Sequence, residues 1–142
     1  SFKKTFYGCN GLTGSIPENL FKNNSKVINF DSVFAYCENL TGSIPENLFA
    51  NCPEVEIFGD DWWGGCFCSC ENLTGKIPEN LFVNNTDATD FSHTFRDCSN
   101  LTGTPPPLWE RQNITNSGYC FIGCNLLSLN EVPKSWGGNK KD

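Results

Sequence analysis

The sequence predicts a repeat solenoid, mostly β with short helical or 3-10 turns, in which about five coils stack along one axis. Internal self-similarity is the main ground for this. The string Leu-Thr-Gly-x-Ile-Pro recurs at Leu12, Leu40 and Leu73, and with one change as Leu101-Thr102-Gly103-Thr104-Pro105-Pro106. A Phe and a Cys precede each copy at fixed distance, at Phe6/Cys9, Phe34/Cys37, Phe67/Cys70 and Phe95/Cys98, and Phe121/Cys124 opens a fifth, degenerate copy. All 12 phenylalanines fall into three slots: Phe2, Phe30, Phe58 and Phe91 before the motif, the five motif residues, and Phe21, Phe49 and Phe82 after a leucine. A chain that confines its largest apolar side chains to so few positions is expected to stack them, because one coil cannot bury its own apolar edge.

Within a copy the local signals are short. Val27-Ile28-Asn29-Phe30 and Gly42-Ser43-Ile44-Pro45 are expected as β segments of about four residues, bounded by Asn, Ser and Gly turns. Each is expected to pair in register with its equivalent in the next coil. Pro17-Glu18-Asn19-Leu20-Phe21 reads as one helical or 3-10 turn, with proline first and glutamate near the positive end of the backbone dipole. Glu18, Glu46 and Glu79 share this position and are read as dipole partners and solubilising charges. Residues 1–142 form one domain on this reading, with repeats opening near Phe6, Phe34, Phe67, Phe95 and Phe121. A C-terminal cap over about 125–142 includes Trp136, while Trp109 takes a core slot.

On these residues the chain resembles leucine-rich repeat proteins, most closely the bacterial BspA-like surface repeats, whose Phe-x-x-Cys-x-x-Leu spacing it shares. The resemblance covers Phe2 to about Trp136. It implies a right-handed solenoid, display at a cell surface or secretion, and binding of other macromolecules, with no shared catalytic residues.

Charge and composition narrow the function. A formal charge of −6 argues against nucleic acid as partner, which would need a basic face. No apolar run approaches the roughly 18 residues of a membrane span, so membrane insertion is not expected. No charged and apolar leader opens the sequence, so any secretion signal is expected to have been removed. The domain is expected to be a monomer.

The nine cysteines suggest a disulfide framework at first sight. Yet Cys9, Cys37, Cys70, Cys98 and Cys124 occupy one column. Neighbours there would have parallel Cβ vectors about 4.8 Å apart, wider than a disulfide prefers. They are read as reduced, buried thiols acting as small hydrophobes. Cys52, Cys66, Cys68 and Cys120 lie outside the column, and a Cys52 link to Cys66 or Cys68 is an open alternative. Cys66-x-Cys68-x-Cys70 lacks the partner ligands of a zinc site, so neither metal nor cofactor is expected.

The third copy breaks period. Gly59-Asp60-Asp61-Trp62-Trp63-Gly64-Gly65-Cys66 separates Phe58 from Phe67, where other copies have three residues. Insertions in repeat arrays fall in surface loops, which often carry function. The candidate ligand-binding residues are therefore Trp62, Trp63, Asp60, Asp61 and Glu56. Exposed indoles beside carboxylates suit a protein partner, where Trp is a frequent anchor, or a pyranose whose hydroxyls bond the acids. The competing reading folds both indoles down over an edge. Asp60, Asp61 and Glu56 support Ca²⁺ only weakly, since their spacing lacks ligand periodicity. Tyr7, Tyr36 and Tyr119 are surface residues without an assigned partner.

Catalysis is not expected. The single histidine, His93, has no accessible nucleophile beside it, and no nucleophile elbow or phosphate loop occurs. Sequons stand at Asn23, Asn39, Asn72, Asn84, Asn100 and Asn113. Three belong to the repeat's own Asn-Leu-Thr, and glycans stacked there would crowd, which favours a bacterial or phage source. The function expected is a non-enzymatic extracellular recognition module binding a protein, an adhesin or display repeat. The alternatives are a carbohydrate-binding module using the Trp62/Trp63 loop, or a structural repeat segment of a longer surface protein.

Overall fold

The computed structural model describes residues 1–60, Trp62 and residues 64–141. Regular secondary structure among them is sparse. Strands β1 (Gly75–Lys76) and β2 (Leu101–Thr102) pair in parallel, and two 3-10 helices follow, η1 (Leu108–Glu110) and η2 (Lys134–Trp136). The expected mostly-β, right-handed, leucine-rich-repeat-like solenoid is corrected by this. The chain is a small domain with little regular structure, no α-helix among the described residues and no closed solenoid.

The physical reason lies in the backbone. Residues two before the motif Phe adopt positive φ at Lys4, Ser32, His93 and Tyr119. So do those two after it, at Gly8, Tyr36, Ser69, Asp97 and Gly123, and the glycine of Leu-Thr-Gly at Gly14, Gly42, Gly75 and Gly103. A left-handed residue turns the chain out of the pleat, so no extended run passes through these points. Between them the backbone closes single turns, as in Cys9 N–H to Phe6 O (3.1 Å) and Leu12 N–H to Cys9 O (3.1 Å). The four-residue strands expected at 27–30 and 42–45 shrink to isolated bridges, Asn29 with Ile57 and Gly42 with Leu73. Register also departs from expectation. Gly14 lies opposite Leu40, Gly42 opposite Leu73 and Gly75 opposite Leu101, each two positions before its own equivalent. Asn29, Ile57, Asp90 and Asn116, by contrast, bridge one to the next in a single row. The turn from Pro17 stays a turn, closed by Leu20 N–H on Pro17 O (3.2 Å). Only the copy with Pro105-Pro106-Pro107 tightens into η1.

Packing between copies is more regular than the backbone. Motif rings lie nearly parallel: Phe6 on Phe34 at 5.7 Å, Phe34 on Phe67 at 5.6 Å, Phe67 on Phe95 at 5.4 Å and Phe95 on Phe121 at 5.8 Å. Phe2, Phe30, Phe58 and Phe91 form a second row at 5.5–6.1 Å, and Phe21, Phe49 and Phe82 a third at 5.9–6.2 Å. Offset contact between rings adds to their area burial, and eight of the rings are fully buried. Trp136 extends the motif row, its ring 6.3 Å from Phe121 and its carbonyl accepting the Phe121 N–H at 2.9 Å. Trp109 is half-buried, edge-on to Phe121 and Trp136.

All nine cysteines are free thiols, so the Cys52 tether does not form. The thiol row does more than fill space. Cys37, Cys70, Cys98 and Cys124 donate S–H to the motif carbonyl of the preceding copy, at Phe6, Phe34, Phe67 and Phe95, over 2.9–3.1 Å. Cys9 heads the row and is half-buried. A parallel position carries larger donors. Asn85 Nδ2 reaches Phe49 O (3.1 Å) and Cys52 O (2.9 Å), and in the next copy the Arg111 guanidinium reaches Phe82 O and Asn85 O. Both add a side-chain donor to carbonyls that already close a local turn, as Phe49 O does with Cys52 N–H (3.1 Å) and Phe82 O with Asn85 N–H (3.0 Å).

Candidate functional site

The irregular segment is anchored at both stems. Cys66 N–H returns to Phe58 O at 2.8 Å and closes the loop. Asp60 N–H bonds Ser92 O (3.2 Å) on one side, Gly65 N–H bonds His93 O (3.1 Å) on the other, and the Ser32 hydroxyl donates to Gly64 O (2.6 Å). Glycine is required at the base because the next copy presses against it. A Cβ at Gly59 would lie 2.3 Å from Ser92 N, and one at Gly65 would lie 2.4 Å from the Thr94 backbone. An alanine at either place has to force the two segments apart.

Asp60 is buried and works inward. Its Oδ1 accepts the Trp62 N–H at 2.5 Å, and its Oδ2 faces Lys3 Nζ at 3.4 Å. Lys3 also pairs with the buried Asp31 at 3.0 Å, and Asp31 Oδ1 lies 2.6 Å from the Ser32 hydroxyl oxygen. Burial pushes the Asp31 carboxyl above its usual range; Ser32 and Lys3 oppose the rise and the Asp60 carboxyl adds to it. The Asp31 bond in turn raises the Lys3 ammonium. One cation thus bridges two acids drawn from different copies beneath the loop.

Above this base Trp62 stands out, 87% exposed, the most open of the large hydrophobics among the described residues. Of the sequence candidates, Asp60 and Trp62 are therefore brought together, the acid as support and the indole as the presented group. Glu56 is exposed but apart: its main chain joins Ile28 to Thr89, and its carboxylate makes no hydrogen bond or ion pair among the described residues. Asp61 and Trp63 lie outside the described residues. No group of three or more potential metal ligands forms among the described residues, so the Ca²⁺ reading finds no ligand set there.

Aromatic and basic side chains continue beside the loop. Tyr7 meets Tyr36 edge-on at 5.3 Å, and the Lys4 ammonium lies 5.5 Å over the Tyr7 ring. Further along, Arg96 lies 5.8 Å over Tyr119, whose ring is 5.1 Å from His93. Arg96 Nη1 is 3.2 Å from His93 Nδ1. His93 is buried, so it is a support for this row rather than an accessible base. The Lys3–Asp31–Asp60 cluster and the Arg96–Tyr119 pair escaped the sequence reading. Their signal was positional: Lys3 follows Phe2 as Asp31 follows Phe30, and Tyr119 stands two before Phe121 as His93 does before Phe95.

Elsewhere the surface is shallow. A groove of about 770 Å³ runs between Ser15, Pro17, Gly42, Ser43 and Pro45, and one of about 470 Å³ follows at Lys76, Pro78 and Pro105 to Pro107. Neither is lined by the loop. No described helix is long and apolar enough to cross a membrane. Comparison of the chain with protein families, with curated proteins and with solved structures gives no match.

Proposed function

We propose that the protein is a non-enzymatic extracellular recognition module, secreted or displayed at a bacterial or phage surface, that binds a protein partner through Trp62. The exposure of that indole on a base fastened at both stems is the observation that carries the reading. A large side chain held out from a rigid support loses little freedom on binding, and Trp leads the residue types that anchor interfaces. The resemblance of the repeat to BspA-like surface sequences supports the extracellular setting.

A protein partner is favoured over a glycan by two features. Of the candidate carboxylates that a sugar site would use, Asp60 is buried and committed to Trp62 and Lys3, and Glu56 stands apart from the indole. The tyrosines beside it do not form a flat platform: Tyr7 and Tyr36 stand at 65° to each other, and cations cover Tyr7 and Tyr119. A pyranose needs an open ring face.

The test replaces Trp62 with a photo-crosslinking amino acid and exposes the protein to arrayed extracellular proteins, with the same group at the exposed Val83 as control. A discrete, protease-sensitive adduct at position 62 and none at 83 is expected. In parallel, soluble polysaccharides are titrated while indole fluorescence is followed. A saturable response that Trp62→Ala abolishes turns the assignment to carbohydrate.

A further inference from the structure

One hydroxyl beneath the Trp62 loop has a single hydrogen and two acceptors. Ser32 Oγ lies 2.6 Å from Gly64 O, on the second stem of the loop, and 2.6 Å from Asp31 Oδ1. All three residues are buried. An ionised carboxylate and a carbonyl give no hydrogen, so both contacts are hydrogen bonds at once only when Asp31 is protonated. The Asp31 O–H then donates to Ser32 Oγ, and the Ser32 O–H donates to Gly64 O. With Asp31 ionised the hydroxyl serves one acceptor, and the charged one holds it more strongly. No other donor among the described residues reaches Gly64 O, so that carbonyl is then released.

The groups around Asp31 make its proton a matter of pH. Lys3 Nζ stands 3.0 Å from Asp31 and 3.4 Å from Asp60, so one cation serves two buried acids. The Cys66 thiol also faces Asp31, and it is neutral in acid. We propose that Asp31, Ser32 and Gly64 form a proton-operated latch on the Trp62 loop, closed in acid and opened as Asp31 ionises. The proton comes from water and returns to it. Burial above all lifts the Asp31 carboxyl over its ordinary 3.8, and Asp60 adds to the rise against Ser32 and Lys3. The folded chain therefore holds this proton more tightly than the unfolded one, and the latch is lost as pH rises through the folded value. Gly64 sits at φ 106°, where glycine turns readily, so its peptide swings once the Ser32 bond is gone. A fastened stem lets Trp62 bind at little cost in freedom, so binding through it is stronger in acid, a consequence that rests on the function proposed above.

The experiment follows isotope-labelled protein by nuclear magnetic resonance from about pH 3.5 to 8, with no partner present. The Asp31 Cγ shift reports its proton, and the amide nitrogen shift of Gly65 reports the bond to the Gly64 carbonyl. The two are expected to move with one midpoint above 3.8. Protection of the Gly65 amide against hydrogen exchange is expected to fall about three- to tenfold across it, the worth of one hydrogen bond. Asp31→Asn, whose amide donates to Ser32 at every pH, should keep Gly65 at its acid position. Ser32→Ala should leave Asp31 titrating and Gly65 still. That variant retains His93, whose carbonyl receives the Gly65 N–H, and so separates any response that His93 causes. The proposal is overturned if Gly65 responds to pH as strongly in Ser32→Ala, if Gly65 stays fixed while Asp31 titrates in the wild type, or if Asp31 titrates at or below 3.8. None of these readings uses a partner, so failure to capture one at Trp62 is a separate result.

Discussion

Raising the pH above about 9 unfolds this protein cooperatively, because its buried thiols cannot ionise in place. An ordinary thiol titrates at 9.0; burial lifts Cys37 to about 11 and Cys124 to about 12, and carries Cys66, Cys70, Cys98 and Cys120 well above the ordinary value. The sign follows from which state holds the protons. Each of these groups keeps its proton more tightly when folded, so its contribution is fully present below the unfolded pKa. That contribution is lost as pH rises through the unfolded value toward the folded one. The loss approaches about 1.4 kcal/mol per pH unit for each thiol while the pH lies between its unfolded and folded values, and the thiols add. A domain of this size has a net stability of roughly 5–15 kcal/mol, so the transition should lie within about two units above 9. Far-ultraviolet circular dichroism and thiolate absorbance, followed together, should change in one step. Gradual ionisation with the fold intact to about pH 11.5 would contradict the burial described for the row.

The second large effect is Phe58→Ala, expected to cost about 4 kcal/mol in urea denaturation. Its ring is fully buried between rows, 4.9 Å from Phe49 and 4.8 Å from Phe82, with Phe30 and Phe91 at 6.1 and 5.5 Å along its own row. Truncation leaves a void that four rings cannot all close. Phe2→Ala serves as the contrast, because that ring is half-buried and, among the described aromatics, touches only Phe21 and Phe30. It should cost roughly 1–2 kcal/mol. Equal costs at both positions would mean that the central rings are no better packed than those at the end.

Residue spacing made some of this legible. The three phenylalanine slots are where the three ring rows lie, and the period that places Cys37, Cys70 and Cys98 together also places their sulfurs beneath equivalent carbonyls. Spacing did not disclose the backbone. Nothing in Phe-Ala-Tyr36 or Phe-Cys-Ser69 marks the third residue as left-handed, since the glycine that would signal it stands only at Gly8 and Gly123. That conformation is what reduces the expected strands to bridges, and it is held by packing between copies rather than by local preference. The loop was legible as an insertion whose two tryptophans have no core slot, but spacing did not single out Trp62. The inward role of Asp60 was not, because it depends on Lys3 and Asp31 from other copies. A count of acids in one segment reads them as available when neighbours have already claimed them.

The claim on which the rest depends is that equivalent side chains of successive copies lie directly on one another through the length of the molecule. Nuclear Overhauser contacts among site-selectively labelled phenylalanine rings measure it most directly. The account predicts contacts Phe6–Phe34, Phe34–Phe67, Phe67–Phe95 and Phe95–Phe121, with none between Phe6 and Phe67. Strong contacts that skip a copy, or rings of the motif row dispersed among unrelated neighbours, would contradict it.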